Sequence, residues 1–600
     1  MVRSRKSSAI KEVAKMNSNN HSNKIQHTIN DLPSPSSSSA FDKNLPNKKQ
    51  DGYEDEIEDE ECQSQRATLL PSTSQRPTPT LVDSGPCPTA VFLISCMLVL
   101  GLFLIFFLLA PWFGSFTKNA IPISSFSPSN NSTLHFIKPS GPPGSITDKT
   151  ENWAAQGGNW NNLDLEADNK AIENDAPFSN GTHKFKKTVL LISLDGFRAD
   201  YLNRNLTPNL VSIHDSSGGI KSKFLQPQFP TLTFPNHWSI LTGLYPESHG
   251  IVANDFRDPV LGKSFSSIDP HKSWDPHWWL GEPIWATAVK QGIRTAISMW
   301  PGPPYTRDKT RPTYWRAFED HFKWWKKIQQ LENWLDLPVK DRPQLIALYL
   351  PDVDQMGHHY GPDDPHLNKT IANIDRFVGS LHDVLKQRNL LDIIEVIYVS
   401  DHGMMATSDS RIVYLDEILG DQYFKQIQYQ DGWPSAGLRF PDGVDTKPIL
   451  DKLLEAEKNH AGFRVYTHET MPPRWHFTNS PRIAPIYVMP NLGWVISSKN
   501  EHQVVMNGTY NVKGVHGYDN EEATMRGIFV AHGPFIKSIK TQRLSKRRSL
   551  EGIKKMIDEE ISTIEGFSNL EIYSLIAKLL NLEKFLAPNN CSKGFWDQYF

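Results

Sequence analysis

From residue 187 onward, short apolar runs alternate with helical patterns, and that alternation limits the fold of this 600-residue chain more than any other feature. The runs cover 187–194, 345–350, 393–400 and 527–531. A strand with one wet face alternates polar and apolar residues, whereas an uninterrupted apolar run of this length fits a strand buried on both faces. The clearest helix follows Pro365, where Leu367, Ile371, Ile374, Val378, Leu381 and Leu385 repeat at steps of three and four. Buried strands separated by amphipathic helices predict an α/β fold with a mostly parallel central sheet flanked by helices. Ligands of such sheets collect beyond the carboxyl ends of the strands. Three of the runs end in polar groups: Asp195, the segment 352–358, and Asp401 with His402.

The chain before residue 187 differs in character. Residues 1–88 are rich in Ser, Asn, Lys, Pro and Glu, carry an acidic block at 51–61, and lack the apolar side chains needed to offset chain entropy. A disordered cytoplasmic tail is expected there. Residues 90–114 carry no charge and exceed the roughly 20 residues that a spanning helix requires, so 89–114 is expected to cross a membrane once. The run lies too far from the N-terminus, and is too long, for a cleaved signal. Sequons at Asn130, Asn131, Asn180, Asn205, Asn368, Asn507 and Asn590 follow it, and Asn20 precedes it. That skew predicts a type II orientation, with the larger part outside the cell or in a vacuolar or secretory lumen. Polar residues 115–186 read as a stalk and 187–600 as the catalytic domain. Only Cys591 among the four cysteines follows the span, so no intrachain disulfide is expected there. A formal net charge of -3 argues against a stable nucleic-acid partner, the basic residues at 540–555 read as a solvated loop, and no obligate protein partner is predicted.

The chemistry-bearing residues recur in a pattern. Asp195 sits in Leu-Asp-Gly-Phe-Arg, Asp354 and His358 in Asp-Gln-Met-Gly-His, Asp401 and His402 in Ser-Asp-His-Gly-Met, and His516 in Gly-Val-His-Gly-Tyr-Asp. Singly, each is an ordinary turn or a core histidine. Three Asp and three His together form the nitrogen and oxygen ligand set expected of zinc, with no thiolate among them. Asp354 and His358 reach one ion either from one helical face or from a tight loop at Gly357. Thr233 lies in Phe-Pro-Thr-Leu-Thr-Phe-Pro-Asn-His at 229–237, before a helix-compatible stretch. Pro235 fits a first helical turn, which puts Thr233 near the helix N-terminus, where unpaired N–H groups favour bound phosphate. In that place a threonine serves either as a helix cap or as a nucleophile.

These motifs, with Tyr-Pro-Glu-Ser-His-Gly-Ile at 245–251 and Met-Trp-Pro-Gly at 299–302, resemble those of the ectonucleotide pyrophosphatase/phosphodiesterase family, within the alkaline phosphatase superfamily. The resemblance runs in order from about residue 188 to about residue 536. It implies an alkaline-phosphatase-like domain with two Zn2+ per chain, one on Asp354, His358 and His516, the other on Asp195, Asp401 and His402 with the Thr233 oxygen. It implies that Thr233, not Thr231, is the nucleophile, and that Asn236 donates to the transferring phosphoryl oxygen. Phe234 then faces the nucleotide base, with Tyr314 as a further aromatic. The activity implied is zinc-dependent hydrolysis of nucleotide phosphodiester and pyrophosphate bonds through a nucleotidyl-threonine intermediate, releasing nucleoside 5′-monophosphates. Charge counting agrees, because two divalent ions against three carboxylates leave one positive charge for an alkoxide at Thr233. A phosphomonoesterase of the superfamily would add an arginine clamp, and the residues flanking Thr233 are Leu232 and Phe234. Lipid head-group phosphodiesterases share the zinc site, and a catalytically silent surface protein would have no need of a complete ligand set.

Overall fold

The computed structural model describes residues 178–215, 218–505, 508–547 and 562–599. The expected tail, spanning helix and stalk up to residue 177 lie outside the described residues, as do the sequons at Asn20, Asn130, Asn131 and Asn507 and much of 540–555. Among the described residues, no helix is long and apolar enough to cross a membrane.

Eight strands form the main sheet: β1 (Thr188–Leu194), β2 (Ile220–Ser222), β3 (Thr295–Ser298), β4 (Tyr314–Arg316), β5 (Leu345–Leu350), β6 (Ile394–Val399), β7 (Phe529–His532) and β8 (Thr563–Ile564). Their order is β8-β2-β7-β6-β1-β5-β3-β4. The three strands whose ends carry the polar groups are neighbours. Leu191 of β1 lies opposite Ala347 of β5 on one side and Ile397 of β6 on the other, in parallel register. The sheet is mostly parallel, as expected; the run at 527–531 enters it as β7, which runs antiparallel to both β6 and β2. Strand direction depends on where a distant loop returns the chain, and apolar content carries no trace of it.

All seven residues of β1 are buried, and they serve two layers in alternation. Val189 and Leu191 face the layer that holds Trp238, Ile240 and Trp285, whereas Leu190, Ile192 and Leu194 face Ile371, Phe377 and Leu381. This two-sided burial is why the run lacks polar alternation. The helix Pro365–Gln387 covers the second face; the Asp364 carboxylate accepts the His366 N–H at its start, and Pro365 opens it with φ already helical. Its buried stripe of Leu367, Ile371, Ile374, Val378, Leu381 and Leu385 follows the expected periodicity, each side chain contributing roughly 1.5–3 kcal/mol through burial.

A smaller antiparallel sheet, in the order Tyr429–Asp431, Ala436–Arg439, Ile486–Pro490, Phe463–Tyr466, has no counterpart in the expected alternation. It owns a core around Leu438, Ile449, Leu453, Phe463 and Val488. Arg482 fastens it to the main unit, donating to the Asp258 carboxylate at 2.7 Å and to the Gly250 carbonyl at 2.7 Å. Residues 178–186, placed in the stalk by composition, also pack on the domain: Phe178–Ser179 pairs with Lys184–Phe185, and the Arg342 guanidinium covers the buried Phe185 ring at 3.8 Å. Leu381→Ala is expected to lower unfolding stability by about 2–5 kcal/mol, because Leu381 is fully enclosed between helix and sheet; the denaturant midpoint with an unchanged slope measures it.

Candidate active site

The carboxyl ends of β6, β1 and β5 converge on one place. Asp401 lies two residues past the end of β6, Asp195 directly follows β1, and the helix Asp352–Tyr360 after β5 carries Asp354 and His358 on one face. The open choice between helix and loop for this pair is thus resolved in favour of the helix. Gly196 turns there at φ +65°, and a Cβ on it would come within 2.8 Å of the Asp354 backbone. Only glycine lets the two segments touch. Gly514 does the same service for His516, since a Cβ there would lie 2.2 Å from the Gly357 carbonyl oxygen.

Ligand atoms of Asp195, Asp401 and His402 fall within 4.8 Å of one another, and so do those of Asp354, His402 and His516. His402 therefore stands between two groups. His358 completes the second, with its Nε2 3.1 Å from His516 Nε2 and 3.5 Å from Asp354 Oδ2. The tautomers follow from the other ring nitrogens. Nδ1 of His358 donates to the Gly514 carbonyl at 2.8 Å, Nδ1 of His402 to Gly403 at 2.9 Å and Nδ1 of His516 to Thr231 at 2.9 Å. A carbonyl oxygen only accepts, so each neutral imidazole presents an unprotonated Nε2 to the site, the arrangement that orients a metal ligand.

The donors also fit cations by what they lack. Asp195 Oδ1, Asp354 Oδ1 and Asp401 Oδ2 are shielded from water without a hydrogen-bond partner. Burial, and then the negative Asp401 and Asp354, push the Asp195 carboxyl well above the usual range. Burial acts to raise Asp401 as well, yet His402 and His237 beside it hold it well below. His516 is pushed well below the ordinary histidine value by burial and by His402 and His358. Two divalent ions would answer both the carboxylate repulsion and the inward lone pairs.

Thr233 is the first residue of the helix Thr233–Thr242, and the N-cap position belongs to Leu232, which makes no side-chain cap. The capping role is therefore not the one Thr233 fills: its Oγ lies 3.1 Å from His402 Nε2. Thr231 is occupied otherwise, its hydroxyl donating to the Tyr518 carbonyl and accepting the Gly517 N–H, both at 3.0 Å. His237, one helical turn after Thr233, donates from Nδ1 to the Thr233 carbonyl at 2.9 Å, and its Nε2 meets the Ser193 hydroxyl at 2.8 Å. Tyr349 on β5 donates its hydroxyl to Asp195 Oδ2.

Two expected contacts are displaced. Asn236 is fully buried and points away from the phosphoryl position: its amide nitrogen donates to the carbonyls of Gln228, Pro230 and Leu232, and its oxygen accepts from Gln228 and Asn569. It braces the turn before the helix. The amide beside Thr233 is that of Asn254, whose Oδ1 accepts the Phe234 N–H at 3.0 Å and whose NH2 group has no hydrogen-bond partner among the described residues. A polar residue closing the apolar stretch Ile251 to Ala253 was the only available sequence signal. Tyr314, on edge strand β4, donates its hydroxyl to the Asp341 carbonyl at 2.9 Å and packs on Trp334 in the opposite layer from the Thr233 helix. The aromatic that borders the site is Phe318, 52% exposed, with its ring 6.4 Å from that of Tyr349. Phe234 directly follows Thr233, with its ring partly buried and 6.1 Å from that of Phe265.

Dialysis against a chelator is expected to strip about two zinc ions per chain and to lower the melting temperature, and elemental analysis with calorimetry on re-addition checks both. Asn236→Ala is expected to cost about 1–3 kcal/mol of stability by orphaning buried carbonyls while metal content persists. Asn254→Ala is expected to keep its stability and to lower kcat by about a hundredfold to a thousandfold.

Comparison with known proteins agrees with this geometry. The family described as type I phosphodiesterase / nucleotide pyrophosphatase matches residues 189–519. An uncharacterised pyrophosphatase/phosphodiesterase of Schizosaccharomyces pombe is 41% identical over 418 residues, covering 69% of this chain and 80% of that protein. Ectonucleotide pyrophosphatase/phosphodiesterase family member 3 of Mus musculus is 36% identical over 416 residues, which are 68% of this chain but 43% of that protein, so the chain spans less than half of that relative. The solved structure of murine ectonucleotide pyrophosphatase/phosphodiesterase 5, an inactive threonine-to-alanine variant in complex with AMP, superposes with a TM-score of 0.58 at 32% identity, covering 69% of this chain and 99% of that one. The chain belongs to the nucleotide pyrophosphatase/phosphodiesterase family of hydrolases.

Proposed function

We propose that the chain hydrolyses nucleotide phosphodiester and pyrophosphate bonds and releases nucleoside 5′-monophosphates through a nucleotidyl-threonine intermediate on Thr233. The observation that carries this reading is the placement of the Thr233 hydroxyl at a helix N-terminus and 3.1 Å from His402, at the edge of the Asp/His cluster. Asp195, Asp401 and His402 would hold one zinc ion, and Asp354, His358 and His516 the other. Zinc, when bound, supplies Lewis-acid stabilisation of phosphoryl charge and lowers the pKa of oxygens beside it.

The chain's own groups do the rest. Thr233 Oγ forms the bond to phosphorus as the bond to the leaving oxygen breaks, and water then cleaves the resulting ester. Asn254, anchored through its oxygen on the Phe234 N–H, offers its NH2 group to a phosphoryl oxygen. The first N–H groups of the Thr233 helix face the same charge. His237 fixes the backbone of Thr233 from below, and Tyr349 fixes Asp195. Phe234 and Phe318 border the Thr233 side and suit the two faces of a nucleobase. The AMP held by the murine relative accords with that choice of substrate class. The uncharged run at 90–114 would hold the domain at a membrane, facing the exterior or an organelle lumen.

Purified protein is expected to convert ATP and a nitrophenyl ester of thymidine monophosphate to the 5′-monophosphates, faster than it turns over nitrophenyl phosphate or a choline phosphodiester. Thr233→Ala is expected to lower kcat by about a thousandfold or more with zinc content retained. Faster turnover of the monoester, or full activity without Thr233, would sink the reading.

A further inference from the structure

The metal-facing groups form a row with two distinct ends. Phe318 stands beside Tyr349, which meets Asp195 at one end, and Thr233, with Asn254 on the neighbouring Phe234 N–H, meets His402, the ligand common to both groups. The other end is marked by His358, and there the site is open: the Asp354 and His358 side chains are 14% and 17% exposed, against 1% and 0% for Asp195 and Asp401. In a displacement by Thr233 the departing oxygen leaves on the side away from the attacking one, hence towards this second end.

The aromatic residue standing there is Trp433, partly buried, with its ring 6.4 Å from that of His358 and inclined at 40°. Its neighbours hold it firmly. The Gly432 N–H donates to the Asp255 carbonyl at 3.1 Å, the Pro434 carbonyl accepts the Ile496 N–H at 2.9 Å, and the Pro434 ring lies so close to Gly517, next to His516, that a Cβ on Gly517 would meet it at 2.7 Å. The indole itself is not tied down. Trp238, Trp279 and Trp596 each donate Nε1–H to a backbone carbonyl, whereas Nε1–H of Trp433, like that of the core residue Trp475, is shielded from water with no partner among the described residues. A tryptophan used as packing usually satisfies that donor, and leaving it unmet carries a cost. What the Trp433 position provides is a ring face, on a loop braced from both sides, beside the metal-facing histidine on the leaving-group side.

We propose that Trp433 is a specificity-determining residue whose ring receives the nucleobase of the leaving group, so that the enzyme favours substrates whose departing half carries a second nucleoside over those that release pyrophosphate. This rests on the nucleotide-hydrolase reading above and names its substrate class. Base–aromatic stacking tolerates any base, because every base has a π-face, so the preference concerns the presence of a nucleoside and not its identity.

The test compares kcat/KM for diadenosine tetraphosphate, for a 3′,5′-linked dinucleotide and for ATP in the wild type, Trp433→Leu and Trp433→Phe, with bound zinc measured in each. Trp433→Leu keeps an apolar side chain at the site if an alanine there fails to fold. In Trp433→Leu the ratio of at least one dinucleoside substrate to ATP falls about tenfold, and Trp433→Phe restores most of it. The two dinucleosides separate a leaving group joined through its 3′-oxygen from one joined through a phosphate chain. Ratios unchanged in both variants overturn the proposal, and so does an equal fall for all three substrates accompanied by zinc loss, which would make Trp433 a structural support of His358. A wild type that cleaves none of the three defeats the nucleotide-hydrolase reading itself, whereas cleavage of all three with unchanged ratios defeats only the role of Trp433.

Discussion

Three carboxylates forced together out of water repel one another, and the carboxyl edge of the sheet is built around that repulsion. Asp195, Asp354 and Asp401 arrive just past the ends of adjacent strands, each with an oxygen that no donor among the described residues meets. Such a cluster is costly unless cations neutralise it. The surrounding structure turns ligand atoms towards such cations. The three histidines commit Nδ1 to backbone carbonyls and turn Nε2 inward, and burial disfavours the charged form of His516. Binding of metal thus becomes part of what holds the upper half of the domain together, because the elements that meet there come from residues 195 to 516.

The fold reaches this convergence by close backbone approach. Gly196 touches Asp354, and Gly514 touches Gly357, at distances where a methyl group could not enter. Those contacts set the helix Asp352–Tyr360 against both the first strand's turn and the loop of His516. The nucleophile helix is brought in by different means. Thr231 pins the His516 loop with three hydrogen bonds, Asn236 braces the preceding turn with four and accepts a fifth from Asn569, and Thr233 between them is left to face the cluster. Residues that resemble one another in sequence therefore divide into those that carry the site and those that carry its frame.

The smaller antiparallel sheet bears on the same point. It brings the loop of Trp433 to the open end of the metal row, while Arg482, buried against Asp258, fixes its position relative to the hairpin that follows Asn254. In the proposed reading, Phe234 and Phe318 of the main unit would receive substrate at one end, and Trp433 of this added sheet at the other. A change in the sheet can then alter which leaving groups are accepted without touching the chemistry.

Local pattern left Thr233 open as helix cap or nucleophile, and the motif resemblance chose between them; the sequence by itself determined the alternation of strands and helices and the six Asp and His positions that meet at the sheet edge. These were readable because each depends on local pattern: a run buried on both faces, a helical stripe, a ligand type placed just past a strand end. Tertiary structure alone decided the direction of β7, the exchange of Asn236 for Asn254, the retreat of Tyr314 in favour of Phe318, and the place of Trp433. Each of these turns on which way a side chain faces or on where a loop returns from a distant part of the chain. Asn236 and Asn254 are equally polar in the sequence, and only the backbone carbonyls enclosing the one and the helix N–H meeting the other distinguish a brace from an amide beside Thr233.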